Sequence, residues 1–355
     1  MRKPFIITDK IEWAMAWNCA PTCIGSLPFA DPAKALDAIM ERLHEVPYWP
    51  QLPARGFQEN MYAQYATHLP GVVIDRENKR VTVDLANYDP EDFYNRIIND
   101  DVDSFAYPED CFSGLFEMMK RKISKRVRAI KGQVTGPVSA GLQIVDQNGV
   151  PAIYDEAYGE IIRRNLNMCV RWQERQLSKL SDNVIIFLDE PSLSLIGTPF
   201  ASVSGDNVIS WVDEVFEGVR ATRGLHCCGN TDWPMVLSTC VDLLSFDAYN
   251  YAFSVSLYPE QLKSFLSRGG TLSWGLVPNM EQRLEKETVG SLLAKFDSTL
   301  NELVSKGLNR DVLLEQSMIT PECGLGGLSE AESVHVLDLL VEVSDAIRSE
   351  HGLED

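Results

Sequence analysis

The sequence predicts an α/β protein folded as a single (β/α)8 barrel, a TIM barrel with an elaborated N-terminal region, on three observations. Short apolar runs that read as strands alternate with amphipathic segments of helical period, which points to a parallel sheet with helical crossovers. About eight such units fit within the 355 residues. Reactive side chains recur at the C-terminal ends of the strand-like runs, where a barrel gathers its active site.

The first strand-like run is TCIGS at 22–26. Residues 45–110 then break the pattern, being irregular and rich in Pro, Asn and Asp, with a hairpin expected at VVIDRENKRVTVDL. This stretch reads as an insertion within one domain spanning 1–355, a candidate cap over the active end. The alternation resumes with RAIKGQVTG at 128–136, NVIIFLDEP at 183–191 and RGLHCCG at 223–229. It continues with LLSFDAY at 243–249, TLSWGLVP at 271–278 and VLLEQSMIT at 312–320. Helical patterns occupy 154–181, 207–221, 231–240, 258–268, 284–306 and 329–348.

Composition narrows the function classes. The formal charge of −19 argues against nucleic acid or an anionic membrane as partner, since both require a basic face. No apolar run approaches the roughly 20 residues of a membrane span. The N-terminal stretch MRKPFIITDKIEWAMAW carries charges within its apolar part and lacks a signal-peptide core, so a cytoplasmic protein is expected. In a reducing compartment the eight cysteines are thiols or metal ligands, not a disulfide framework.

The stretch LHCCGNTDW places one of only five histidines beside two cysteines. If 224–228 is a strand, alternation puts His226 and Cys228 on one face and Cys227 on the other. An imidazole and a thiolate so placed suit Zn²⁺, which takes N and S donors in a tetrahedral shell. Cys323, in TPECGLGG beyond the last strand, is the best third ligand, and Asp247 at the end of the next strand is a candidate oxygen ligand. The alternative is that these cysteines pack as small hydrophobes and His226 is a satisfied core histidine. Cys227, Cys240, Cys111, Cys169, Cys19 and Cys23 are read as structural on the same grounds. Zinc with two thiolates is a softened Lewis acid, better suited to holding an incoming thiol as thiolate than to making hydroxide. That chemistry is thiol alkylation.

Four stretches, CIGSLP, QVTGPVS, FLDEPSLS and the pairing of HCCGN with PECGL, resemble the C-terminal catalytic barrel of cobalamin-independent methionine synthase. That family belongs to a wider superfamily with zinc-dependent corrinoid:thiol methyltransferases and uroporphyrinogen decarboxylase. The resemblance implies zinc on His226, Cys228 and Cys323, with Asp247 in SFDAYN substituting for the family's glutamate. It implies that Ile24, Gly25 and Ser26 hold the homocysteine carboxylate and that Asp189 pairs with the ammonium. Glu59, in RGFQENMYAQYATHLPG, corresponds to a further carboxylate of the family, although displaced. Asp189-Glu190 without the resemblance reads equally as a helix cap or a surface pair.

The folate-dependent synthases of this family are about twice this length, with an additional N-terminal barrel that helps grip the folate tail. The expected methyl donor here is therefore methylcobalamin or a methylated corrinoid protein, whose cobalt-bound methyl is far more transferable than an N-methyl. Methyltetrahydrofolate remains the alternative donor, and a coenzyme M-type thiol the alternative acceptor. A metal-free decarboxylase of the uroporphyrinogen type would need arginines for its substrate carboxylates, and CIGSLPFADP offers none. Trp233, Tyr249 and Trp274, near strand ends, are read as core aromatics.

Overall fold

Every residue of VIIFLD (Val184–Asp189) and of TLSWGLV (Thr271–Val277) is buried. Strands that read as unbroken apolar runs belong to parallel sheets covered on both faces, and the computed structural model has this architecture. It describes residues 16–353, so most of the N-terminal stretch discussed above lies outside the described residues.

In chain order the strands are β1 (Ala20–Pro21), β2 (Val72–Asp75), β3 (Arg80–Val83), β4 (Ile130–Thr135) and β5 (Val145–Asp146). They continue with β6 (Val184–Asp189), β7 (Thr222–Cys227), β8 (Leu243–Phe246), β9 (Thr271–Val277) and β10 (Ser317–Pro321). Seven of them form a curled, wholly parallel sheet in the order β1-β10-β9-β8-β7-β6-β4. The expected hairpin is present as β2 and β3, with β5 completing a small separate sheet.

Eight β/α units were expected, whereas the ladder holds seven strands. The two edges, β1 and β4, are linked by residues 47–51, which the sequence reading had placed in the irregular insertion. Tyr48 bridges Lys131 and Gln51 bridges Ser26, both in parallel sense. Lys131 N–H donates to Pro47 O at 2.9 Å and Gln51 N–H donates to Gly25 O at 3.0 Å. Pro47 and Pro50 have no N–H to contribute, so this segment cannot build a continuous ladder. A second difference lies at 312–320, where Arg310–Glu315 is a helix capped by Asn309 and only Ser317–Pro321 is strand. The Val-Leu-Leu run fits either period.

Two core layers result. Trp17, Ala20, Val46, Ala129, Ile185, Phe187, Leu243 and Met318 pack inside the curl of the sheet. A larger cluster fills the space between sheet and helices. The outer helices are cleanly delimited. Asp155 caps Glu156–Leu177, and a reciprocal Ser329–Glu332 capping box opens Glu330–His351, which ends at left-handed Gly352 (φ 66°). Trp233 and Trp274 are fully buried, while Tyr249 is only partly so and donates its hydroxyl to Glu287. No helix among the described residues is long and apolar enough to cross a membrane.

Candidate metal and thiol site

The strand ends converge as parallel geometry requires. His226 is the last inward position of β7, and its register partner across the ladder is Asp189, the last residue of β6. Cys228 follows two residues on. Cys323 arrives from across the sheet, two residues beyond β10. Nitrogen and sulfur atoms of His226, Cys228 and Cys323 lie within 4.8 Å of one another, the sole cluster of this kind among the described residues. His226 is buried, whereas Cys228 and Cys323 are partly exposed.

The imidazole is oriented for coordination. Its Nδ1 lies 3.0 Å from Ser245 Oγ, and its Nε2 is buried with no hydrogen-bond partner. A ligating histidine characteristically has its second nitrogen held in this way. An orphaned buried nitrogen beside two thiols suits a thiophilic divalent metal better than a packed core. The Cys228 thiol is pulled well below its ordinary range, first by the hydrogen bond with Cys323 and then by His226. Cys323 is correspondingly held up, first by Cys228 and then by burial, so of the pair one proton leaves readily and the other is retained. Cys227 points away, buried, its thiol pushed up to about 12 by desolvation, in keeping with a packing role.

Asp189 is buried, and its Oδ1 has no partner. Burial raises its carboxyl, while the charge of Lys131 and then His226 opposes that. Lys131 is the feature that sequence reading missed. It is wholly buried on β4, its ammonium 4.9 Å from the Phe187 ring centre and 5.5 Å from that of Tyr48. A lysine in KGQVTG carries no local sign that it will face the inside of a curled sheet. Glu190 turns away from Asp189 to accept the N–H groups of Val138 and Ser139 at 2.8 Å each. Desolvation raises it to about 7.

The Ile24–Ser26 segment packs directly on the Cys323 loop. Leu325 N–H donates to Ser26 O at 2.9 Å, and Gly326 N–H donates to Ser26 Oγ at 3.2 Å. A side chain at Gly324 would collide with Ser26 Oγ, which explains the glycine there. Glu59 lies on the short turn Phe57–Glu59, buried, its Oε1 accepting from Arg55 Nε at 2.7 Å and from Ser113 Oγ. Its Oε2 is buried without a partner, and burial raises its carboxyl.

Asp247 stands apart from the triad. Both of its oxygens are taken by Asn250, as N-cap of Ala248–Ser256 and through the Asn250 amide. Burial raises its carboxyl to about 6, with Glu322 adding to the effect. Glu322, also unremarked in the sequence, accepts from Asn279 N, Asn250 Nδ2 and Arg283 Nη1. These bonds brace the strand ends on either side of the sulfurs.

No family model and no curated protein matches the sequence. Solved structures do match in shape. A B12-independent methionine synthase from Shewanella sp. W3-18-1, in complex with selenomethionine, is similar over 95% of this chain and 100% of its own, at 14% identity and a TM-score of 0.60. A methyltransferase from Methanosarcina mazei is similar over 95% and 97% respectively, at 14% identity and a TM-score of 0.56. At that identity the likeness establishes the fold alone, a curled parallel sheet with helical crossovers.

Proposed function

We propose that the chain is a zinc-dependent methyltransferase that places a methyl group on the thiol of homocysteine to give methionine, drawing it from methylcobalamin or a methylated corrinoid protein. The observation that carries this reading is the meeting of His226, Cys228 and Cys323, with His226 Nε2 buried and unpartnered, across the ladder from Asp189, whose Oδ1 is likewise buried without a partner. Those three residues would hold the metal, and Asp247 would join them only by releasing Asn250. Zinc, when bound, supplies Lewis acidity that keeps a substrate thiol ionised near neutral pH.

The chain's own groups do the rest. Ser245 fixes the ring of His226, and the buried Asp189 offers its free oxygen to the substrate ammonium while Lys131 beneath favours its ionised form. The Ile24–Ser26 segment, bonded to the Cys323 loop, would take the amino acid's carboxylate, and Glu59 would have its unpartnered Oε2 to contribute. In the reaction the substrate sulfur forms a bond to the methyl carbon in line. The donor atom leaves with the electron pair, and the thiol proton is lost to solvent. Holding the two reactants in line contributes much of the acceleration.

The test is an assay on purified protein of known zinc content, with homocysteine and either methylcobalamin or methyltetrahydrofolate. Methionine from methylcobalamin alone is the expected result. Zinc bound at one per chain without methionine from either donor would leave the metal site standing and reject the reaction.

A further inference from the structure

Three clefts of similar size among the described residues differ in charge. One of about 670 Å³ lies at the N-terminal ends of β6 and β7, and its arginines 171, 175 and 220 are offset by Glu174 and Asp182. Another, of about 590 Å³, sets Asp213, Glu214 and Glu217 against a single Arg223. The third, of about 550 Å³, has no carboxylate in its wall. Phe57 and Tyr62 give it a flat aromatic side, Asn60 and Gln143 are polar, and Lys79 and Arg80 supply two adjacent positive charges. In a chain of net charge −19 such a wall is unusual.

Neither cation is within ion-pair distance of a carboxylate among the described residues, although Arg80 lies across the hairpin from Asp75, whose carboxyl is lowered by Asn78 and, to a lesser degree, by the charge of Arg80. Arg76 on the same hairpin pairs with Asp110, and the carboxylate of Asp75 is taken up by its own turn, accepting from Glu77 N, Asn78 N and Asn78 Nδ2. Tyr62 joins this cleft to the metal and thiol site. The carbonyl of its neighbour Met61 accepts from Thr135 Oγ1 at 2.7 Å, and Thr135 is the register partner of Asp189 at the ends of β4 and β6. A ligand lying along Phe57 and Tyr62 would have one end at the hairpin and the other directed towards the strand end that bears Asp189.

We propose that this cleft is the subsite for the anionic arm of the second substrate, the methyl donor. The carboxylate or phosphate of the arm meets Lys79 and Arg80, and the flat portion lies on the aromatic side. The proposal rests on the methyltransferase reading, because it is that reaction which requires a second substrate beside the thiol. Local cations are needed for such a ligand, since the field of a strongly acidic chain otherwise repels it. Glutamyl carboxylates of a pterin donor and the phosphodiester of a corrinoid's nucleotide arm share this chemistry.

The experiment compares zinc-loaded wild type with the double variant Lys79→Gln, Arg80→Gln. Each is titrated calorimetrically with methylcobalamin and with methyltetrahydrofolate carrying one or three glutamyl groups. Wild type is expected to bind at least one of these probes, and the variant to bind the same probe about 10-fold more weakly, with homocysteine affinity unchanged. The probe that responds identifies the source of the anionic arm. Failure of wild type to bind any probe, or equal binding by the variant, overturns the subsite. Methionine formation is read separately. Probe binding that depends on Lys79 and Arg80 without turnover keeps the subsite and rejects methyl transfer to homocysteine, whereas turnover with an unchanged donor KM in the variant does the reverse.

Discussion

His226 shows how little separates a core histidine from a ligand. Its ring is buried either way; what differs is that one nitrogen is held by Ser245 Oγ and the other is left without a partner. Ser245→Ala should therefore lower metal affinity by about 10- to 100-fold, read by chelator competition, with little change in fold. Cys228→Ser or Cys323→Ser should lose metal and methyl transfer together, and normal turnover by either variant would show that the ligands are assigned wrongly. Lys131 gives a pH-dependent prediction. Its fall from an ordinary 10.5 to about 8, caused by burial, corresponds to a penalty of roughly 3 kcal/mol. Below pH 8 the group is charged in both folded and unfolded chains, so the penalty is present in full. It fades as pH rises towards 10.5, where both states are neutral. Lys131→Met should thus be more stable than wild type at pH 7 by up to about 3 kcal/mol, with the gap closing in alkali. The same variant should bind homocysteine less well, because Asp189 loses its supporting charge. Urea unfolding across pH, with a homocysteine titration at pH 7, checks both halves.

At the scale of elements, the site depends on how closely strand ends approach. A methyl group at Gly275 on β9 would stand 2.7 Å from Phe246 O and 2.9 Å from Glu322 Cα, backbone atoms that cannot step aside cheaply. Gly275→Ala should cost about 1–3 kcal/mol by overpacking and shift the segments bearing Asp247 and Glu322. An unchanged denaturation midpoint would show that β8 and β10 have room to part. The sequence marked most strands because each is a short apolar run, and it marked the pairing of His226 with Cys228 through period-two alternation. The 47–51 segment escaped notice because two prolines and single bridges leave no periodic trace. The start of β10 was misplaced because Val312, Leu313 and Leu314 suit a helix as well as a strand. Asp247 was legible as a strand-end carboxylate, but its commitment to Asn250 belongs to capping geometry and not to spacing.

Across the whole molecule, the triad ties neighbouring residues of β7's end to Cys323, nearly a hundred positions away along the chain. A metal that binds only this folded arrangement stabilises it by mass action. Zinc should raise the thermal midpoint of wild type and a chelator should lower it, while Cys323→Ser should respond to neither. The convergence itself was foreseeable from the rule that barrel strands gather their C-terminal ends. The buried charge of Lys131 inside the curl, and the carboxylate-free cleft under the hairpin, were not, since both arise from which face of a strand or turn meets which neighbour. The central claim is that the site binds a thiol and removes its proton. Calorimetric titration of zinc-loaded protein with homocysteine near neutral pH, in two buffers of different ionisation enthalpy, measures this most directly. The account predicts release of about one proton per chain on binding, with none when methionine is titrated instead. Tight homocysteine binding without proton release would contradict it.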